Sequence, residues 1–105
     1  MVARVQVPQQ AQRGEVVEIL VAIQHPMETG FRYDDAGRAI PKNVINDLVA
    51  RYNGVEIFRA RMGSGIAANP YLVFYTVAEA SGQIELSWVD DSGQKGAERA
   101  GITVV

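Results

Sequence analysis

The residues with the widest chemical repertoire lie together in residues 25–41, HPMETGFRYDDAGRAIP. This segment holds the only histidine of the chain, His25, together with two arginines and a pair of aspartates. Histidine and carboxylates serve acid–base catalysis and metal binding, and guanidinium groups bind anions. The segment is therefore the first place to look for a functional site.

The common catalytic patterns are not found in the chain. A Ser–His–Asp arrangement would depend on His25, which directly precedes a proline, and there is no nucleophile elbow or glycine-rich phosphate loop. The lack of cysteine excludes thiolate catalysis, disulfides and sulfur-ligated metals. The pairs Asp34-Asp35 and Asp90-Asp91 lie in turn sequences, where carboxylates accept hydrogen bonds from nearby backbone amides. We expect a protein that is not an enzyme and has no cofactor or metal.

His25 has two interpretations. By residue type it is a solvated or hydrogen-bonded side chain at a strand end, and in the functional interpretation it belongs to a protein interface. Arg32 and Arg38 are candidates for an anion contact, although such arginines more often pair with neighbouring carboxylates. Methionine, aromatic residues and arginine together are typical of the centre of protein interfaces. The predicted interface set is His25, Met27, Phe31, Arg32, Tyr33 and Ile40.

Short β-strands are predicted around this segment. Residues 15–24 alternate, with a β-branched residue at every second position. Residues 44–52 fit a helix or a strand, and the Asn53-Gly54 pair that follows favours the strand of a hairpin. Residues 31–40 alternate on both sides of the turn sequence DDAG, which predicts a small hairpin. The predicted strands cover residues 2–7, 15–24, 44–52, 55–62, 70–78, 83–89 and 94–105.

About seven strands with turns every 8–12 residues indicate an all-β fold. We expect a single domain over residues 1–105, an immunoglobulin-like antiparallel β-sandwich from which the hairpin protrudes. Tyr71, Phe74 and Tyr75 are predicted to pack in the core and not to form a ligand platform.

Charge and composition exclude two partner classes. The net charge is −2 and the ten lysines and arginines are scattered, so neither nucleic acid nor an anionic membrane is expected as the partner. The N-terminal MVARVQVPQQ lacks the apolar core of a signal peptide, and no apolar run is long enough to span a membrane. Taken alone, these features predict a cytoplasmic protein.

Six segments nevertheless resemble the SoxZ family, the cysteine-free subunit of the SoxYZ sulfur carrier of thiosulfate-oxidising bacteria. They are ARVQVP, RGEVVEI, HPMETGFR, YNGVEIFRA, AANPY and the terminal ITV. HPMETGFR is the most specific of them. The sister subunit SoxY ends in a Gly-Gly-Cys-Gly-Gly arm whose cysteine holds the sulfur intermediate. This chain ends in GITVV and has no cysteine, so the resemblance is to the partner subunit.

The resemblance implies a non-catalytic subunit that binds a SoxY-like chain as a heterodimer. Such a subunit helps present cysteine-bound sulfur intermediates to other Sox enzymes, which it contacts transiently, in the periplasm. The resemblance also implies export with the signal-bearing partner. The alternative is a generic immunoglobulin-like binding or adhesion module, for example a carbohydrate-binding one. An exposed aromatic platform would favour that module, whereas burial of Tyr71, Phe74 and Tyr75 would favour the carrier subunit.

Overall fold

The chain folds entirely into β-strands and turns in a computed structural model that describes residues 2–105. The part of the chain that the structure describes contains no helix long and apolar enough to cross a membrane. The eight strands are β1 (Ala3–Gln6), β2 (Gln10–Ala11), β3 (Val16–Ile23), β4 (Ile45–Tyr52), β5 (Val55–Arg61), β6 (Tyr71–Val77), β7 (Gly82–Asp90) and β8 (Lys95–Val104).

The strands form two sheets, one with the order β1-β3-β6 and one with the order β2-β8-β7-β4-β5. Every pairing is antiparallel except that of β2 with β8, which is parallel. The predicted all-β sandwich is confirmed. Strand β2 lies outside the predicted strands, because two residues are too few to show an alternating pattern.

The core lies between the two sheets and follows the alternation of each strand. On β3 the even spacing of Val17, Ile19, Val21 and Ile23 buries all four side chains. Across the sandwich, the rings of Phe58 on β5 and Phe74 on β6 stack with centroids 4.4 Å apart and an interplanar angle of 5°. Apolar burial between the sheets is therefore the main source of stability.

The turn between β4 and β5 explains why residues 44–52 form a strand and not a helix. Asn53 and Gly54 both have positive φ, at 48° and 84°. This is the pair of conformations that a type I′ hairpin turn requires, and asparagine followed by glycine adopts it readily. A tight turn of this kind forces the preceding segment to pair with β5 as an extended strand.

Residues 25–41, which we call the arm, leave the sandwich between β3 and β4. The predicted hairpin is present in an irregular form, with isolated antiparallel bridges between Glu28 and Asn43 and between Tyr33 and Ala39. At its tip Asp34 Oδ1 accepts hydrogen bonds of 2.9 Å from the backbone N–H groups of Ala36 and Arg38. The molecule extends over 58 × 19 × 18 Å. A ten-residue strand spans only about 33 Å, so the arm lengthens the molecule well beyond its sandwich.

One glycine in β8 is required by the packing of the core. The backbone of Gly96 lies against the indole of buried Trp88, and a Cβ at this position would overlap the ring. We expect Gly96→Ala to lower the free energy of unfolding by about 1–3 kcal/mol, as overpacking does. Urea denaturation followed by tryptophan fluorescence measures this change. Gly63→Ala is the matched control, because no atom lies within 4 Å of its added Cβ, and an equal loss in both variants would contradict the packing argument.

Candidate functional site

The base of the arm is closed by a buried pair of polar side chains. His25 continues the inward alternation of β3, and Asp90 ends the inward alternation of β7. His25 Nε2 lies 3.0 Å from Asp90 Oδ2, and each residue is only 3% exposed. The pair therefore links one sheet to the other at the point where the arm begins.

The neighbouring backbone fixes the tautomer of the histidine. The N–H of Met27 donates a hydrogen bond of 2.9 Å to His25 Nδ1. Because Nδ1 accepts, the proton of the neutral ring is on Nε2, which donates to the Asp90 carboxylate. In this arrangement both ring nitrogens have partners, and His25 serves as a structural link with no position open for a substrate.

Asp90 also organises the turn between β7 and β8. Its Oδ1 accepts hydrogen bonds from the Ser92 hydroxyl at 2.6 Å and from the Gln94 backbone N–H at 2.9 Å. Burial acts to raise the pKa of Asp90, but the hydrogen bonds from Ser92, His25 and Gln94 outweigh it and lower the pKa below its ordinary value of 3.8. The carboxylate is thus held in its charged form.

The two legs of the arm are fastened to the sandwich beside this pair. Met27 is buried with a positive φ of 50°, and its sulfur accepts the Ile45 N–H at 3.4 Å. The Val44 N–H donates to Asp91 Oδ2 at 3.1 Å, and this hydrogen bond is the main cause that lowers the pKa of Asp91. On the other side, the His25 N–H donates to Asn69 Oδ1 at 3.1 Å, and the Asn69 N–H donates to the His25 carbonyl at 2.8 Å. These hydrogen bonds therefore fix the position of the base of the arm relative to the sandwich.

The outer part of the arm carries exposed aromatic and cationic side chains. Phe31 is 83% and Tyr33 71% exposed. Arg32 donates two hydrogen bonds to the Glu28 carboxylate, at 3.0 and 2.8 Å, and these raise the pKa of Arg32. Arg38 makes no ion pair with any residue between 2 and 105. Large apolar surface beside a guanidinium group suits contact with a protein or an anion.

The predicted interface set is therefore divided by the structure. His25 and Met27 lie in the interior of the chain, because both face inward at the end of β3 and have hydrogen-bond partners there. They hold the arm in place. The sequence prediction assigned both to a partner interface, whereas in the structure both are buried within the chain. The members on the outer part of the arm are Phe31, Arg32, Tyr33 and half-buried Ile40.

The prediction for the aromatic strand is wrong at two of its three positions. Phe74 is buried, with only 5% of its surface exposed, but Tyr71 and Tyr75 are 61% and 62% exposed. Alternation puts the two tyrosines on the face of β6 opposite to the face of Phe74. That outer face is covered by no other element of the described chain, so an apolar surface remains open there.

Asp90 is the residue of the site that sequence reasoning assigned to an ordinary turn. It follows buried Ile84, Leu86 and Trp88 at the same two-residue spacing, and this parity was the available signal. The aspartates at 34 and 91 behave as expected and accept backbone hydrogen bonds. Residues 2–105 include no group of three or more His, Cys, Asp or Glu side chains able to hold a metal ion.

The family model for the sulphur oxidation protein SoxZ matches residues 4–100, nearly the whole chain. The chain belongs to the SoxZ family. The resemblance inferred from HPMETGFR and the other segments is thus confirmed. No curated protein sequence matches this SoxZ family member.

Solved structures share the fold of this SoxZ family member at low sequence identity. The superoxide reductase (neelaredoxin) from Ignicoccus hospitalis is 18% identical, with a TM-score of 0.73 over 100% of this chain and 81% of that chain. The sulfur carrier protein SoxY from Chlorobium limicola f thiosulfatophilum is 9% identical, with a TM-score of 0.66 over 98% of this chain and 78% of that chain. At these identities the likeness shows a common sandwich fold.

The buried Asp90 makes stability depend on pH in the acid range. A pKa lowered by folding contributes stability that is present above the ordinary value of 3.8 and is lost as the pH falls through the folded value. We expect urea denaturation to show decreasing stability below about pH 4, with a smaller decrease in Asp90→Asn. At pH 7 that variant should lose about 1–3 kcal/mol, since the amide cannot accept from all the buried donors that the carboxylate satisfies.

The matched control for this experiment is Asp35→Asn, which changes an exposed carboxylate at the tip of the arm. It should keep the wild-type dependence on pH. An Asp90→Asn variant with wild-type stability at pH 7 and an unchanged acid transition would contradict the role of the pair.

Proposed function

We propose that this protein is the non-catalytic subunit of a heterodimeric sulfur carrier. It binds a SoxY-like subunit and helps present the C-terminal cysteine of that subunit, with its bound sulfur intermediates, to Sox enzymes during thiosulfate oxidation. The observation that carries this proposal is the SoxZ family match over residues 4–100. The likeness of the fold to a solved SoxY supports a pair of related sandwiches.

The arm is the proposed contact with that partner. Phe31 and Tyr33 place two large apolar side chains in water, and such surface is stabilised when a partner covers it. Arg32 and Ile40 flank them on the same arm. The buried base restricts the direction of the arm, so little conformational freedom is lost when the partner binds.

The place of action proposed here is the periplasm, reached by export together with a signal-bearing partner. The protein contributes binding and positioning, and the chemistry on sulfur belongs to the partner cysteine and to the enzymes that visit it. Contacts with those enzymes are transient. This proposal assigns no catalytic residue to the chain.

One observation favours a second candidate, a carbohydrate-binding or adhesion module. Tyr71 and Tyr75 are exposed on one sheet face, and aromatic rings can stack on sugars. However, Val73 lies between them and Val77 follows, which makes the face aliphatic as much as aromatic. Such a mixed apolar surface is better suited to protein contact.

Replacing Phe31 and Tyr33 by alanine tests the arm. The double variant should bind a SoxY-like subunit about 10–100-fold more weakly, because two exposed aromatic anchors are lost. Co-purification and titration calorimetry measure the change. Val55→Ala is the control, since Val55 is a 67% exposed apolar residue beside the Asn53-Gly54 turn. Wild-type affinity of the double variant would exclude the arm from the interface.

The arginines of the arm are proposed to hold the anionic sulfur adduct near the partner cysteine. Arg38 is the stronger candidate, because Arg32 already binds Glu28. We expect Arg38→Gln to reduce turnover of the reconstituted pathway about tenfold, with a smaller effect of Arg32→Gln. Arg61→Gln, on the exposed edge of β5, serves as the control. Unchanged turnover when both Arg32 and Arg38 are replaced would refute this role.

A further inference from the structure

The outer surface of the three-stranded sheet is apolar to an unusual extent. The register pairs Val16 with Val77, Leu20 with Val73 and Ala22 with Tyr71 across β3 and β6. Glu18 lies among them opposite Tyr75, whose hydroxyl donates to Glu18 Oε2 at 3.4 Å, and the polar residues Arg4 and Gln6 of β1 border this surface. We call this surface the apolar face, and it consists of Val16, Leu20, Ala22, Tyr71, Val73, Tyr75 and Val77. Five of these side chains are between 41% and 63% exposed. Contiguous apolar surface of this kind marks an interaction site.

Strand β6 is also an edge strand without the usual protection. Its seven residues, YLVFYTV, include no charge, proline or glycine, and its pairing with β3 has no bulge. Edge strands in soluble proteins are normally short or charged, because their unpaired backbone groups bind other chains. The other edges follow that rule, since β5 carries Glu56, Arg59 and Arg61, and β1 and β2 are short.

The outer surface of the five-stranded sheet provides the contrast. Cross-strand neighbours on it are charged, and Asp47 pairs with Arg59 and Arg61, while Arg59 also pairs with Glu56. Glu85 lies opposite both Arg51 and Arg99 in the register. Charged side chains of this kind are stable in contact with water, so this surface does not require a partner. The two outer surfaces of the sandwich therefore differ in character, and only the apolar face calls for a partner.

We infer that the apolar face is the docking surface for the SoxY-like carrier subunit, which packs one of its own sheets on it. This inference rests on the proposed function and adds the place of contact. A solved SoxY has the same sandwich fold, so a SoxY-like subunit has sheet faces that could pack on this one. Sheets pack face to face at about 10 Å through apolar side chains.

The size of the apolar face connects it with the arm. Strand spacing and rise give a face of about 23 × 10 Å for the two strands β3 and β6, which is less than the roughly 800 Å² per partner of a standard interface. The arm begins at the same end of the sheet, where Asn69 and the Pro70 carbonyl bind His25 and Ile23 just before Tyr71. The apolar face and the arm thus form one continuous contact surface.

Lysines at Val73 and Tyr75 test the inference. Both side chains point outward on an edge strand, so Val73→Lys with Tyr75→Lys should fold, which the urea midpoint of the isolated chain verifies. We expect the affinity for the SoxY-like subunit to fall at least about thirtyfold. The matched control is Ala97→Lys with Thr103→Lys, which adds the same charge to exposed positions of β8 on the other outer surface.

Amide hydrogen exchange gives an independent readout on the wild-type complex. The amides of β6 should become protected when the SoxY-like subunit binds, and those of β5 should not. If the lysine variant does not fold, Val73→Thr with Tyr75→Thr replaces it. Threonine is β-branched and suits a strand, while most of the apolar surface of the two side chains is removed. This variant should weaken binding about tenfold.

The outcomes separate the inference from the proposed function. Wild-type affinity in a folded lysine variant, or β6 exchange unchanged by the partner, overturns the inference and leaves the proposed function standing. Failure of the wild-type chain to bind any SoxY-like subunit overturns the proposed function as well. The inference would also be overturned if the lysine variant bound the SoxY-like subunit normally but no longer formed a homodimer, or no longer bound immobilised polysaccharide.

Discussion

The hydrogen bond between His25 and Asp90 is the constraint on which the site depends. It joins the end of β3 in one sheet to the end of β7 in the other, inside a core that is otherwise apolar. A buried carboxylate without partners would be strongly destabilising, and here Ser92, Gln94 and His25 all donate to it. The Met27 N–H completes the set by fixing the ring tautomer. The same few bonds thus define the turn after β7 and the direction in which the arm leaves.

This arrangement accounts for the distinctive composition of residues 25–41 without a catalytic role. Part of that composition serves attachment, since His25 and Met27 lie inside and hold the base. The other part is exposed, since Phe31 and Tyr33 extend into water, and it is the part that we propose contacts the partner. Stability and recognition are therefore encoded in adjacent residues of one segment. A change at the base would alter binding indirectly, through the position of the tip.

Much of the fold follows from the sequence, because strand alternation and turn residues are local signals. The paired strands, the turn at Asn53 and the protruding hairpin are examples of this. The two-residue β2 is too short for any period, and its parallel pairing with β8 depends on tertiary contacts. The pairing of His25 with Asp90 joins positions 65 residues apart, which no local pattern reports. Tyr71 and Tyr75 were assigned to the core because their type favours burial, although their parity relative to Phe74 already placed them on the other face.

The length of the arm has a consequence for orientation. A flat sheet face by itself lets a bound sandwich rotate about the normal of the sheet, since apolar contact is not directional. The arm adds a second point of attachment, displaced along the 58 Å axis of the molecule. A partner that contacts both points can bind in only one orientation about the normal of the sheet. In the complex proposed above, the arm sets the direction in which the partner is held, and with it the direction in which anything carried by the partner is presented.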